Sequence, residues 1–135
     1  MKYNGLCAYT GKPLGDDWQI DHVIPKKYVN HKNEINTFEN LMPSLKIINH
    51  YKRSLDLEKF RRYIATLQKR IDKLPKWIIK NYYPTSNYNF KMSDKRKKIF
   101  NRAKYIIKVA ELFGITPENP FNGKFYFENV ELTNK

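Results

Sequence analysis

Two short runs in this chain hold the residue types that phosphoryl chemistry uses: Asp21-His22-Val23-Ile24-Pro25, and Asn49-His50-Tyr51-Lys52, with Glu39-Asn40-Leu41 between them. Hydrolysis of a phosphodiester needs a water to lose a proton as it attacks phosphorus. An imidazole with an ordinary pKa near ~6.5 suits that task at neutral pH. His22 performs it only if its other ring nitrogen is held by an acceptor such as an Asn or main-chain carbonyl, which fixes the tautomer. The departing oxygen calls for an electrostatic partner, and the hard oxygens of Asp21 and Asn49 suit Mg²⁺ or Mn²⁺. A lone His beside an Asp is most often a surface or satisfied histidine, so the weight lies in the combination.

The acidic-His-apolar-Ile-Pro pattern, the Asn40-Leu41 pair, Asn49 nine residues after Asn40, and Lys52 three further on resemble the HNH endonuclease family over residues 5 to 53. The resemblance implies a β-β-α unit that binds one divalent ion. Asp21 and Asn49 would be the metal ligands and His22 the catalytic base. Asn40 would fix the loop and the orientation of the histidine, while Lys52 and the adjacent Arg53 would be phosphate contacts. With Asn at the third signature position, the pattern is of the HNN subtype. His50 competes with Asn49 for the metal, and because adjacent helix residues point about 100° apart, the two do not face one ion together.

Many members of the family also bind a structural zinc through two Cys-x-x-Cys pairs. Here the corresponding positions read Cys7, Thr10, Leu45 and Ile48. Since a structural zinc takes four ligands, no structural zinc is expected. Apolar packing would replace it, with Cys7 as a small buried hydrophobe.

The elements that must carry these residues are legible from pattern. Asn4-Gly5, Thr10-Gly11, Lys12-Pro13 and Gly15 punctuate a small knuckle. Trp18 to Ile24 alternates and stops at Pro25, as a short strand does, which sets Asp21 and His22 on opposite faces. Residues 26 to 39 read as a loop in which His31 is an ordinary surface histidine. Leu41-Met42-Pro43 supplies a second short strand limited by Pro43, and Ser44 caps a helix marked by Leu45, Ile48 and Tyr51.

Two longer helices follow. One starts at Asp56, carries Leu57, Phe60, Ile64, Leu67, Ile71 and Leu74 on one face, and ends at Pro75. The other starts at Ser93, carries Ile99, Ala103, Ile106, Ala110 and Phe113, and closes at Gly114. A helical turn fits Trp77 to Lys80, and Tyr82, Tyr83, Tyr88 and Phe90 are read as packing between the helices, with stacking on unpaired bases as the alternative. Asn122-Gly123 leads into a short strand, Lys124 to Glu128. The expected class is α+β: a single domain over 1–135, with a catalytic unit at 1–53 and a helical buttress and C-terminal strand at 54–135.

Composition narrows the partners. Twenty-six Lys and Arg stand against 13 Asp and Glu, a formal net charge of +13, which favours a polyanion. The basic residues are spread over several segments instead of one amphipathic helix with exposed apolar anchors, which argues for nucleic acid over a membrane surface. No apolar run approaches the ~18 residues of a membrane span, so a cytoplasmic protein is expected. The functional expectation is a DNA endonuclease that nicks one strand per site; the alternative is a nucleic-acid-binding module that grips phosphates without hydrolysis.

Overall fold

The computed structural model of the chain describes residues 2–25, 36–83 and 91–133. His31, Tyr88 and Phe90 lie outside the described residues. The class is α+β: a two-stranded antiparallel hairpin followed by helices. The chain forms two compact units, one of residues 1–65 and 121–135 and one of residues 66–120.

In the first unit, strand β1 (Trp18–His22) pairs with β2 (Leu41–Leu45), with Trp18 opposite Leu45 and His22 opposite Leu41. Strand β2 runs on to Leu45, past the limit that the sequence set at Pro43. The register explains this. The Val23 N–H donates to the Asn40 carbonyl at 3.0 Å, and hydrogen-bonded pairs alternate along an antiparallel ladder. Pro43 opposite Ile20 therefore occupies a position where no N–H towards β1 is needed. Its carbonyl accepts from the Ala8 N–H at 2.8 Å, tying the N-terminal knuckle to the hairpin.

Helix α1 (Lys46–Lys52) follows β2 directly. Its N-cap is Leu45 rather than Ser44; Ser44 is a fully buried strand residue whose hydroxyl donates to the Leu45 carbonyl. Helix α2 (Leu57–Ala65) begins where Asp56 Oδ1 accepts the Lys59 N–H at 2.8 Å, as an N-cap carboxylate does. Phe60 and Ile64 are its buried residues. The Tyr9 ring sits edge-on against Phe60, Phe125 and Phe127 at 5.5, 5.3 and 5.9 Å. This aromatic cluster is the centre of the unit's core.

The expected strand at 124–128 is instead the start of helix α6 (Tyr126–Thr133). The alternating aromatics mislead because the capping interactions are stronger. Glu128 Oε1 accepts the Phe125 N–H at 2.9 Å, the carboxylate half of a capping box. The next two N–H groups, of Tyr126 and Phe127, donate to the Tyr9 and Ala8 carbonyls at 3.1 and 2.8 Å. The orphan donors of a helix N-terminus are thereby satisfied. Close approach fixes the residue opposite: Gly11 has φ +74°, and a Cβ there would stand 2.8 Å from the Tyr126 ring.

The second unit is helical. The long helix expected from Asp56 to Leu74 is two, because Thr66 interrupts it; α3 (Leu67–Asp72) belongs to the second unit. Helix α4 (Lys76–Tyr82) follows Pro75, and α5 (Asp94–Leu112) is capped by Ser93 Oγ accepting from Arg96 N. Ile78, Ala103 and Ile107 form its buried core, with Ile71, Leu74 and Phe100 packed against them. Gly114, at φ +70°, follows the end of α5, at the position where the sequence closes the helix.

Candidate functional site

The hairpin has two unlike faces, since successive strand residues point to opposite sides. Gln19 and Asp21 face α1. Trp18, Ile20 and His22 face the other way, and their exposure alternates accordingly: Ile20 is 54% exposed and Asp21 6%. On the α1 side, Asn49 Nδ2 donates to Gln19 Oε1 at 2.7 Å. Lys52 Nζ lies 3.0 Å from Asp21 Oδ2 and also donates to the His22 carbonyl at 3.0 Å. The Tyr9 hydroxyl donates a short hydrogen bond to the same Asp21 oxygen.

Both members of this ion pair are inside, Lys52 with no exposure at all. A buried charge is tolerable only when paired and hydrogen-bonded, and each here has more than one partner. Burial, with the charge and the hydrogen bond of Asp21 adding to it, pushes the Tyr9 hydroxyl well above its ordinary pKa of 10.0. Tyr9 is therefore a constant donor to Asp21 over the physiological range.

His22 is half-buried at the end of β1, and its Nε2 lies 3.0 Å from Asn36 Oδ1. With that oxygen accepting, the ring proton sits on Nε2 and Nδ1 keeps the lone pair. Asn40, buried at 8% exposure, locks the chain just beyond: its Oδ1 accepts the Ile24 N–H at 2.8 Å and its Nδ2 donates to the Ile24 carbonyl at 3.2 Å. The backbone of residues 22–24 is thus held from both sides, by Lys52 and by Asn40.

Set against the sequence, the structure gathers Asp21, His22, Asn40 and Lys52 around one strand end, while Asn49 meets Gln19 further back along β1. The structure changes the part played by Lys52. That residue was expected at a phosphate, but it is sealed inside against Asp21 because its carboxylate partner lies across the hairpin. Arg53 is exposed, with φ 54° just past α1, and is the member of that pair at the surface. His50 is exposed, whereas Asn49 points to β1. Cys7 and Ile48 are fully buried, Leu45 and Thr10 partly so.

Sequence reasoning missed Tyr9, Gln19 and Asn36. An Asn carbonyl holding the imidazole was anticipated in kind, but nothing local singles out Asn36 among the asparagines of that loop.

The donor set can be tested for a divalent ion. Of the two carboxylate oxygens of Asp21, Oδ2 already accepts from the Lys52 ammonium and the Tyr9 phenol. Among the described residues no three His, Cys, Asp or Glu side chains gather as a metal-holding group. As arranged, these residues do not fit a divalent ion at Asp21: its Oδ2 is engaged by the Lys52 ammonium, and Asn49, the second expected ligand, is turned to Gln19. In comparisons with family models, curated proteins and solved structures, nothing matches this chain.

Proposed function

We propose that this protein is an HNH-type endonuclease, a β-β-α nuclease unit that hydrolyses DNA phosphodiester bonds and nicks one strand per site. The observation that carries the reading is His22: an imidazole on the open face of a strand end, its Nε2 against Asn36, its carbonyl held by Lys52 and the chain at Ile24 held by Asn40. Nδ1 takes a proton from water, the water oxygen bonds to phosphorus, and the ester oxygen leaves and is protonated by solvent. A positioned base of this kind contributes ~10² to 10⁴-fold in rate. Lys52 and Asn40 act as positioning residues, and Arg53 is the surface cation for a phosphate. The net charge of +13 supports a polyanionic substrate.

Dependence on Mg²⁺ or Mn²⁺ is the part of this proposal that the resemblance alone carries, since the Asp21–Lys52 pair does not fit an ion; the hydrolysis described here rests on His22. That same pair favours a second reading, a module that binds nucleic acid without cutting it. Among the described residues no helix is long and apolar enough to cross a membrane, and a cytoplasmic location is part of the proposal.

Incubation of the purified protein with supercoiled plasmid, comparing Mg²⁺, Mn²⁺ and EDTA, tests both readings. Nicking by wild type that His22→Ala reduces at least a hundredfold, by the same estimate, supports the nuclease. Binding without cleavage under every condition overturns it in favour of the binding module.

A further inference from the structure

The outer face of the hairpin is an apolar groove of about 160 Å³ lined by Lys2, Trp18, Ile20, Phe38, Leu41 and Pro43. Trp18, Ile20 and Phe38 are 36, 54 and 68% exposed. This is the face on which His22 lies, because residues 18, 20 and 22 alternate to one side of β1. The groove and the imidazole thus form one surface.

From this we infer that the groove receives an unpaired base of a nucleic acid strand whose phosphate lies at His22, so that single-stranded or locally opened DNA is the preferred substrate. The inference rests on the nuclease reading for its placement of the phosphate. Charge selects the occupant. The Lys2 ammonium stands 4.4 Å from the centre of the Phe38 ring at the groove wall, in a chain of net charge +13. The Phe38 and Leu41 carbonyls hold that ammonium at 2.7 and 3.1 Å, so an apolar protein partner would meet a fixed positive charge, whereas a nucleotide brings a flat π-face for Trp18 and Phe38 together with a phosphate for the positive field. In a closed duplex the base faces are stacked on one another and are not offered.

The test is fluorescence anisotropy of the full-length protein with labelled oligothymidylate and with a duplex of equal length, in EDTA and over a range of salt. Stacking on an aromatic side chain is worth roughly tenfold or more in affinity per base. The double variant Trp18→Ala, Phe38→Ala should lose about that factor for the single strand, by the same principle, with duplex affinity and the salt slope unchanged, because no phosphate contact is removed. Trp18→Phe should retain most of the single-strand binding, and circular dichroism should report an unaltered fold.

Equal affinity of wild type for both forms, no loss in the double variant, or equal loss for both forms overturns the inference. So does a wild-type dimer in sedimentation that the double variant dissolves, since a second copy would then fill the groove. EDTA separates this result from cleavage: failure here leaves plasmid nicking intact, and absence of nicking leaves this binding measurable.

Discussion

One strand of five residues, β1, serves two opposite purposes on its two faces. Towards α1 it buries a charged network of Gln19, Asp21, Asn49 and Lys52, closed by Tyr9. Towards solvent it shows Trp18, Ile20 and His22. The inner face is tied to α1 by hydrogen bonds and an ion pair and so fixes geometry, while the outer face keeps an imidazole nitrogen and apolar surface open to a ligand. The contrast teaches that the more highly charged residues here are the scaffold. In the proposed nuclease, reactivity belongs to the more modestly placed histidine.

Removing the buried cation should break the inner face most severely. Lys52→Ala leaves Asp21 buried and unpaired, a change that costs about 3–5 kcal/mol. Chemical denaturation should show that loss, and Lys52→Met combined with Asp21→Asn should recover part of it. If Lys52→Ala is as stable as wild type, the pair is not what holds β1 to α1.

Next in size is the outer face. His22→Ala should slow plasmid nicking at least a hundredfold while changing the midpoint of denaturation little, because the ring is only half-buried. Asn36→Ala should slow nicking less, by freeing the ring without removing the base. Equal rates for His22→Ala and wild type would move any activity away from this face.

A smaller effect is expected for Tyr9→Phe, which keeps the aromatic packing and deletes one donor to Asp21. Loss of a hydrogen bond to a buried charged group amounts to about 1–3 kcal/mol. The pH dependence gives the same comparison a sign. Tyr9 has its pKa raised in the folded state, so its contribution is fully present below the ordinary tyrosine value and is lost as pH rises through the folded value. Stability of wild type should therefore fall in the alkaline range more steeply than that of Tyr9→Phe, measured by thermal melts at increasing pH. Parallel curves would mean that the phenol is not the coupled donor.

The smallest effect lies away from the strand. Glu128 joins Arg61 at 2.6 and 2.9 Å while its Oε1 caps α6. Partial burial raises its pKa, but the hydrogen bonds from Arg61 and from the Phe125 N–H outweigh that and leave it below the ordinary value of 4.5. A depressed carboxylate contributes stability above its unfolded pKa and loses it as pH falls through the folded one. Glu128→Gln should cost about 1 kcal/mol at neutral pH and flatten the acid limb of the stability curve. An unchanged acid limb would separate the cap from the ion pair.

What the sequence determined by itself is local. Alternation from Trp18 gives β1, and the Ser93 cap with Gly114 beyond bounds α5, because period, caps and positive φ depend on near neighbours. Asn40 was legible only through the resemblance to the HNH family, since the Ile24 backbone that its amide holds lies 16 positions earlier.

Tertiary structure decided the rest. Lys52 reads as a solvated cation until Asp21, 31 positions earlier, is brought within 3.0 Å of it across the hairpin. The aromatics from Lys124 to Glu128 alternate like a strand until the carbonyls of Ala8 and Tyr9 receive their N–H groups. The single apolar stripe from Leu57 to Leu74 breaks at Thr66 because its two halves join different compact units. In the first two cases the deciding partner is far away in sequence, and the free energy of satisfying a buried charge or an orphan donor exceeds the local preference that the pattern records.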